Sequence, residues 1–158
     1  MILEFLEDIK KYLKSSIISL DSNFTNLEVY DAYTYEHEPK APEIAVYIED
    51  LPEDEDSNSY DNENISTIVL NVYCYGEAMK IDNNTTKTSA NIIANKLGED
   101  VLKVMNKNSL QSNNSNIISS TRTSYVGAQS IDESSLYVSI IRYEIKIKND
   151  YEIVINNQ

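Results

Sequence analysis

This chain predicts an α+β fold: a mostly antiparallel, twisted sheet of about five strands with two amphipathic helices packed on one face. Three observations carry that expectation. Two stretches, Met1–Ile17 and Thr85–Met105, repeat apolar residues at helical spacing. Five others alternate with a period of two, and Ile65–Gly76 and Ser134–Ile147 are long for strands of a small domain. Only three Gly and three Pro interrupt the 158 residues, which leaves no Gly-rich phosphate loop and no Pro-rich linker. One domain over residues 1–158 is the expectation at this length, with an acidic loop at 50–64 and a C-terminal extension at 149–158.

The first helix sets Ile2, Phe5, Leu6, Ile9, Tyr12, Leu13 and Ile17 on one stripe. Glu4, Glu7 and Asp8 come early and Lys10, Lys11 and Lys14 late, the order that suits a helix dipole. After a turn at Asp21–Asn26, Leu27–Tyr35 reads as a strand. Pro39-Lys-Ala-Pro42 then holds the chain extended. Glu43–Glu49 is the second strand and Ile65–Gly76 the third, whose even-numbered side (Ile68, Leu70, Val72, Cys74) is the expected core face. Asn83 or Asn84 is the expected cap of the second helix, with Ala90, Ile93, Ala94, Leu97, Val101, Val104 and Met105 buried. Gly98 weakens that helix by about 1 kcal/mol relative to Ala, unless close packing on the sheet requires it. Asn106–Asn116 reads as an Asn/Ser loop. Ile117–Val126 and Ser134–Ile147 then form a hairpin around Gly127–Glu133. Within the last strand the apolar phase slips from Val138 and Ile140 to Ile141, Tyr143, Ile145 and Ile147, which predicts a β-bulge there. Tyr151–Ile155 alternates again and is suited to pairing with a neighbouring subunit.

The formal charge of −13 excludes a backbone-gripping nucleic-acid protein, because binding phosphates takes a basic surface. The N-terminal stretch places Glu4, Glu7 and Asp8 among its apolar residues, so neither a signal peptide nor a membrane span is expected. Catalytic chemistry has little to work with. His37 is the single histidine and sits between carboxylates with no nucleophile beside it. Cys74 is the single cysteine, placed mid-strand as a buried structural thiol that cannot form a disulfide within the chain. Asp54, Asp56 and Asn58 open like a calcium loop. Ser59 then replaces the required Gly, and Ile65 stands where the bidentate Glu belongs, so no metal is expected. No cofactor is expected either.

Candidate contact residues come from an unusual aromatic usage of twelve Tyr, two Phe and no Trp. Tyrosine on a strand covers a neighbour while its hydroxyl stays wet, and interfaces favour Tyr and Arg. Tyr73, Tyr75, Tyr125, Tyr137 and Tyr143 sit on strands, with Arg122 and Arg142, the two arginines, on adjacent ones. Each arginine is expected to pair with a carboxylate, inside the subunit or across an interface. Tyr73, Tyr75, Arg122, Tyr125, Arg142 and Tyr143 are therefore the candidate interface with another subunit or partner. Glu53, Asp54, Glu55 and Asp56 form a candidate acidic rim that repels DNA.

The order of helix, two strands, acidic loop, long strand, helix and hairpin resembles the tail-terminator (tail-completion) proteins of long-tailed bacteriophages and phage-tail-like particles. Ile2–Ile17, Pro42–Ile48, Thr67–Gly76, the helix after Asn84 and Tyr137–Ile147 carry the resemblance. It implies a homo-hexameric ring on the end of a tail tube, stopping polymerisation and forming the junction to the head or neck. The implied partners are the tail tube protein, a neck or head-completion protein and, in a contractile tail, the sheath. The implied place is the virion tail, assembled in the bacterial host cytoplasm, with no specific nucleic-acid binding and no membrane. The alternatives are another neck or head-completion subunit, or a small acidic DNA mimic.

Overall fold

The computed structural model describes residues 2–32, 41–49, 65–131 and 134–148. The acidic residues Glu53–Asp56, His37 and the C-terminal Tyr151–Ile155 segment lie outside them. The elements run α1 (Ile2–Leu20), a 3-10 turn (Ser22–Phe24), β1 (Glu28–Asp31), β2 (Glu43–Ile48), β3 (Ile65–Gly76), α2 (Ala90–Val104), α3 (Lys107–Asn113), β4 (Ile117–Ser130) and β5 (Tyr137–Lys148). The five strands form one sheet in the order β1-β2-β3-β5-β4. Only β1 and β2 run parallel; the other three pairings are antiparallel. The fold class is α+β, as the alternation of periods predicts.

Parity sorts the sheet. Register sets Ile44, Val46 and Ile48 of β2 beside Cys74, Val72 and Leu70 of β3, and these in turn beside Ser139, Ile141 and Tyr143 of β5. All of the apolar members of this set belong to one buried cluster. Phe5, Leu6, Ile9, Leu13 and Ile17 of α1 join it, as do Ile93, Leu97, Val101 and Val104 of α2. Burying a side chain of this size contributes roughly 1.5–3 kcal/mol. The cluster is therefore the main source of stability. The helices approach it differently. A Cβ on Gly76 would lie 2.3 Å from the backbone nitrogen of Ala94, so α2 rides directly on the β3 backbone there. Ser139 Oγ donates to the Ala94 carbonyl at 2.9 Å and satisfies the one buried polar side chain at that contact. Gly98 is the second close approach, with Ser139 Oγ and the Tyr125 hydroxyl 2.8 and 3.1 Å from where its Cβ would stand. That meets the packing requirement its position in the helix suggests.

Several boundaries differ from the sequence expectation, each for a local reason. α1 continues one turn past Ile17, so Lys14 is not in its last turn; it pairs with Glu28 of β1 at 3.1 Å instead. Asn83 and Asn84 do not cap α2. Asp82 and Asn83 take left-handed backbone angles (φ 53° and 60°) in a turn closed by Asn84 N–H to the Ile81 carbonyl at 2.9 Å, a conformation Asp and Asn tolerate. The helix starts at Ala90, with Ser89 in the cap position. The stretch expected as an Asn/Ser loop contains α3. Asn106 Oδ1 accepts from Ser109 N–H at 2.9 Å, and Leu110 is buried. A cap and one apolar anchor suffice for two turns.

The bulge expected in β5 is absent. β3 and β5 pair without interruption from Ile65–Lys148 to Gly76–Tyr137. The irregularities are in β4, which gains a residue on β5 at Ile117/Ser119, at Arg122/Ser124 and at Val126/Gln129. The apparent phase slip arises because Ser139, fully buried, takes a core position in β5, while Val138 and Ile140 lie on the opposite face. The hairpin strands also run further than expected, with Gly127 inside β4.

One buried acid pair joins α1 to α2. Asp21 follows α1 and accepts from the Asn23 backbone at 3.0 Å, with Lys96 at 3.5 Å. Asp100 of α2 is only 4 % exposed, and its Oδ2 has no hydrogen-bond partner among the described residues. Burial, then the hydrogen bond and charge of Asp21, push Asp100 up to about 7. For Asp21 burial works upward too, but Asp100, the Asn23 backbone and Lys96 outweigh it and hold the carboxyl low. The two acids share a proton.

Two predictions follow from these contacts. Folded Asp100 keeps its proton to about pH 7, whereas the unfolded chain releases it near 3.8. The folded state therefore binds more protons in that window, and stability falls as pH rises through it. Asp21, depressed, acts in the opposite sense, its contribution lost only as pH falls below its ordinary range. Asp100→Asn is expected to flatten the decline between pH 4 and 7 and to stabilise by roughly 1–3 kcal/mol at pH 8, read by urea unfolding. An unchanged pH slope would refute the shared proton. The glycines separate by what each meets. Gly76→Ala must displace backbone and is expected to cost about 3 kcal/mol or more. Gly98→Ala meets side chains and not backbone, but displacing Ser139 Oγ strains its bond to the Ala94 carbonyl and offsets the regained helix propensity, for a smaller net cost of about 1–2 kcal/mol. Thermal melts of the two variants decide it.

Candidate functional site

The sheet's other face is built from the residues the core does not use. Reading across the register gives three rows. Tyr30, Ala45, Tyr73, Ile140 and Val126 form one; Tyr47, Asn71, Arg142 and Ser124 the next; Glu43, Tyr75 and Val138 the third. Ala45 and Val69 at its centre are 1 % and 2 % exposed, whereas Tyr30, Tyr47, Tyr73 and Tyr75 are half-buried. Neither Ala45 nor Val69 belongs to the main apolar cluster. This face is therefore a second, thinner apolar layer, partly roofed by phenol rings.

One charge pair anchors it. Arg142 grips Glu49 with both ends of its guanidinium, Nε to Oε1 at 3.0 Å and Nη2 to Oε2 at 3.1 Å. Its Nη1 donates to Thr123 Oγ1 at 3.1 Å. Asn71 Nδ2 donates to the same Glu49 Oε1 at 2.9 Å. The planar fork and the carboxylate match in geometry, which a lysine could not reproduce. The Arg142 and Asn71 hydrogen bonds hold the Glu49 carboxyl below its ordinary value, and Glu49 in turn raises Arg142. The tyrosines are pushed the other way. Burial, then the neighbouring Tyr75, raises Tyr30; burial and Tyr47 raise Tyr73; burial and Tyr73 raise Tyr75. Tyr30, Tyr73 and Tyr75 therefore stay neutral at physiological pH and able to donate a hydrogen bond.

The sequence-derived contact residues divide between the two faces. Tyr73, Tyr75 and Arg142 come together here. Tyr143, 3 % exposed, is a core residue on the opposite side, and its hydroxyl has no partner among the described residues. Tyr125 leans on that same core, its hydroxyl over Gly98. Arg122 is exposed on β4 across from Tyr143 and makes no ion pair among the described residues. The two arginines thus differ: Arg142 is satisfied by Glu49, and Arg122 has no carboxylate partner among the described residues. Tyr30, Tyr47, Asn71 and Glu49 complete the face without having been singled out. The strict period of Glu43–Glu49 already placed Tyr47 and Glu49 on one side. The parallel register of β1 with β2, which adds Tyr30, has no signal in the sequence.

Nucleophilic chemistry has no foothold at Cys74, which is fully buried with its thiol pushed up to about 12, mainly by burial. Among the described residues no group of three or more His, Cys, Asp or Glu is placed to hold a metal ion. An open groove of about 570 Å³ between α1 and α3 is lined by hydroxyls from Ser15, Ser16, Ser19 and Ser109, with Tyr12 and Val104. No described helix is long and apolar enough to cross a membrane. No family model and no curated protein matches the chain.

The Arg142–Glu49 pair yields a pH test. Glu49 is depressed, so the pair's contribution is present above the ordinary carboxylate range and is lost as pH falls through the folded-state value. Arg142→Met is therefore expected to be less stable than the parent at pH 7, with the difference narrowing towards pH 3. Denaturant melts at both pH values measure it, and a difference independent of pH would mean that packing, and not the ion pair, sets the cost.

Proposed function

We propose that this chain is a structural assembly subunit of a phage or phage-like tail. It is a tail terminator that forms a hexameric ring on the tail tube, stops tube polymerisation and forms the junction to the head or neck. The supporting observation is the second sheet face, where Tyr30, Tyr47, Tyr73 and Tyr75 surround a rigid Arg142–Glu49 pair. Half-buried tyrosines of this kind supply large contact area at small entropic cost and keep a hydroxyl for a partner. Long strands leave backbone at a sheet edge for a neighbour to pair with, and head-to-tail contacts that close a ring use up every such edge. The formal charge of −13 suits a ring through which DNA slides without sticking. On this reading the chain is not an enzyme, carries no cofactor, and meets its own copies, the tube protein and a neck or head-completion protein. A contractile tail would add the sheath. It resides in the virion tail after assembly in the bacterial cytoplasm.

The test is tail length in particles made without this gene, measured by electron microscopy. Overlong, irregular tubes are expected, and a gene copy carrying Tyr47→Ala and Tyr73→Ala is expected not to restore normal length. Tails of normal length that fail to join heads would move the assignment to a neck subunit. Wholly normal particles would end the tail reading and bring the acidic mimic forward.

A further inference from the structure

We infer that the middle of β4, Thr121–Val126, is the strip through which one copy of this chain pairs with the next, its acid-poor surroundings meeting the acidic remainder of its neighbour. The inference rests on the ring reading for its setting in a tail, and on separate observations for the contact itself. Among the described residues β4 is a terminal strand of the sheet and pairs with β5 alone. Its two ends are tied down by side chains. Gln111 Nε2 donates to the Ile117 carbonyl at 2.9 Å, and Asn95 Oδ1 accepts from Ala128 N–H at 2.8 Å. Between those ties Thr121, Arg122, Thr123, Ser124 and Val126 are exposed, Val126 at 37 %.

Edge strands are ordinarily defended by Lys, Pro or repeated charge. Thr121–Val126 has no Lys and no Pro, and its one charge is Arg122. The bulges are a partial defence, since they break the strand. They nevertheless leave two short runs in continuous register, Ser119–Arg122 and Ser124–Val126, on either side of the shift at Thr123, and β1 pairs with β2 over only four residues in this same sheet.

Charge selects the occupant. Residues 101–131 hold three bases, Lys103, Lys107 and Arg122, and no acid at all. The other 127 residues hold 26 acids against ten bases. Two copies of so acidic a chain repel over most of their surfaces. With screening over about 8 Å at physiological salt, the local charge at a contact decides whether they can approach. Other elements bring Glu144, across from Thr121 on β5, and Glu99 of α2, near Tyr125, up to the strip, and Arg122 with Lys146 of β5 offsets them, so a like-charged neighbour is repelled least there. A contact between unlike patches of identical chains is head-to-tail, the kind that closes rings.

The test uses the full chain in sedimentation equilibrium up to its solubility limit. Arg122→Glu with Val126→Glu adds acid to the strip without touching the core; Ile92→Glu, at an α2 position 52 % exposed, adds acid elsewhere. Circular dichroism and thermal melts confirm that each variant folds. The parent and Ile92→Glu are expected to associate, and the double variant to associate about a hundredfold more weakly or not at all. A second readout needs no variant: amides of residues 121–126 in the parent should gain hydrogen-exchange protection as concentration rises. A parent that stays monomeric, a double variant that associates like the parent, or unchanged exchange at 121–126 would each overturn the inference. Weakened association with tails of normal length in the double variant would remove the terminator reading and leave the strand contact standing.

Discussion

Everything in this fold hangs on the contact between α2 and the end of β3. β3 is the central strand, paired along twelve residues with β5 and along six with β2. Strand pairing alone leaves a sheet with two wet faces, which is marginal in water. The approach of the Ala94 backbone to Gly76 brings α2 close enough for Ile93, Leu97 and Val101 to join the buried cluster on the even side of β3, and α1 lies beside α2 and against β1 with its apolar stripe in the same cluster. The contact also sets the polar economy of the core. Ser139 would be a buried hydroxyl without a partner if the Ala94 carbonyl were an ångström further away.

The asymmetry of the two faces follows from the same contact. The face under the helices is aliphatic and dry. The opposite face carries tyrosine rings, Ala45, Val69, Asn71, Ile140 and one bidentate ion pair. Tyrosine is the side chain that makes such a face tolerable: its ring shields backbone and its hydroxyl accepts whatever solvent or partner is present. A surface of that composition is stable enough to exist uncovered and apolar enough to be worth covering.

Much of this was readable from the residues, because period-two alternation in Glu43–Glu49 and Ile65–Gly76 and the helical stripe of Ile2–Ile17 are signals tied directly to burial. What was not readable had physical causes of three kinds. Ser139 shows how a polar residue at a core position hides the phase of a strand, turning a regular β5 into an apparent bulge. Asn106 and the Asp82–Asn83 turn show that the same residue types cap helices and form left-handed turns, so composition cannot separate the two. Tyr143 and Tyr73 show the third limit. Both are strand tyrosines and aromatic usage alone groups them as contact residues, but Tyr143 shares the phase of Ile141, Ile145 and Ile147 and is buried with them.

The three extra residues in β4 also have a geometric consequence. Between the pairs Ile117–Ile147 and Ser130–Tyr137, β4 takes thirteen steps where β5 takes ten. At about 3.3 Å per step, the outer strand is some 10 Å longer than the one it lies against. The surplus contour has to be taken up as local arching. A straight filament of stacked sheets needs a flat template along its whole length, and this edge is bowed. An edge interrupted in this way offers short runs of regular backbone and no long straight one.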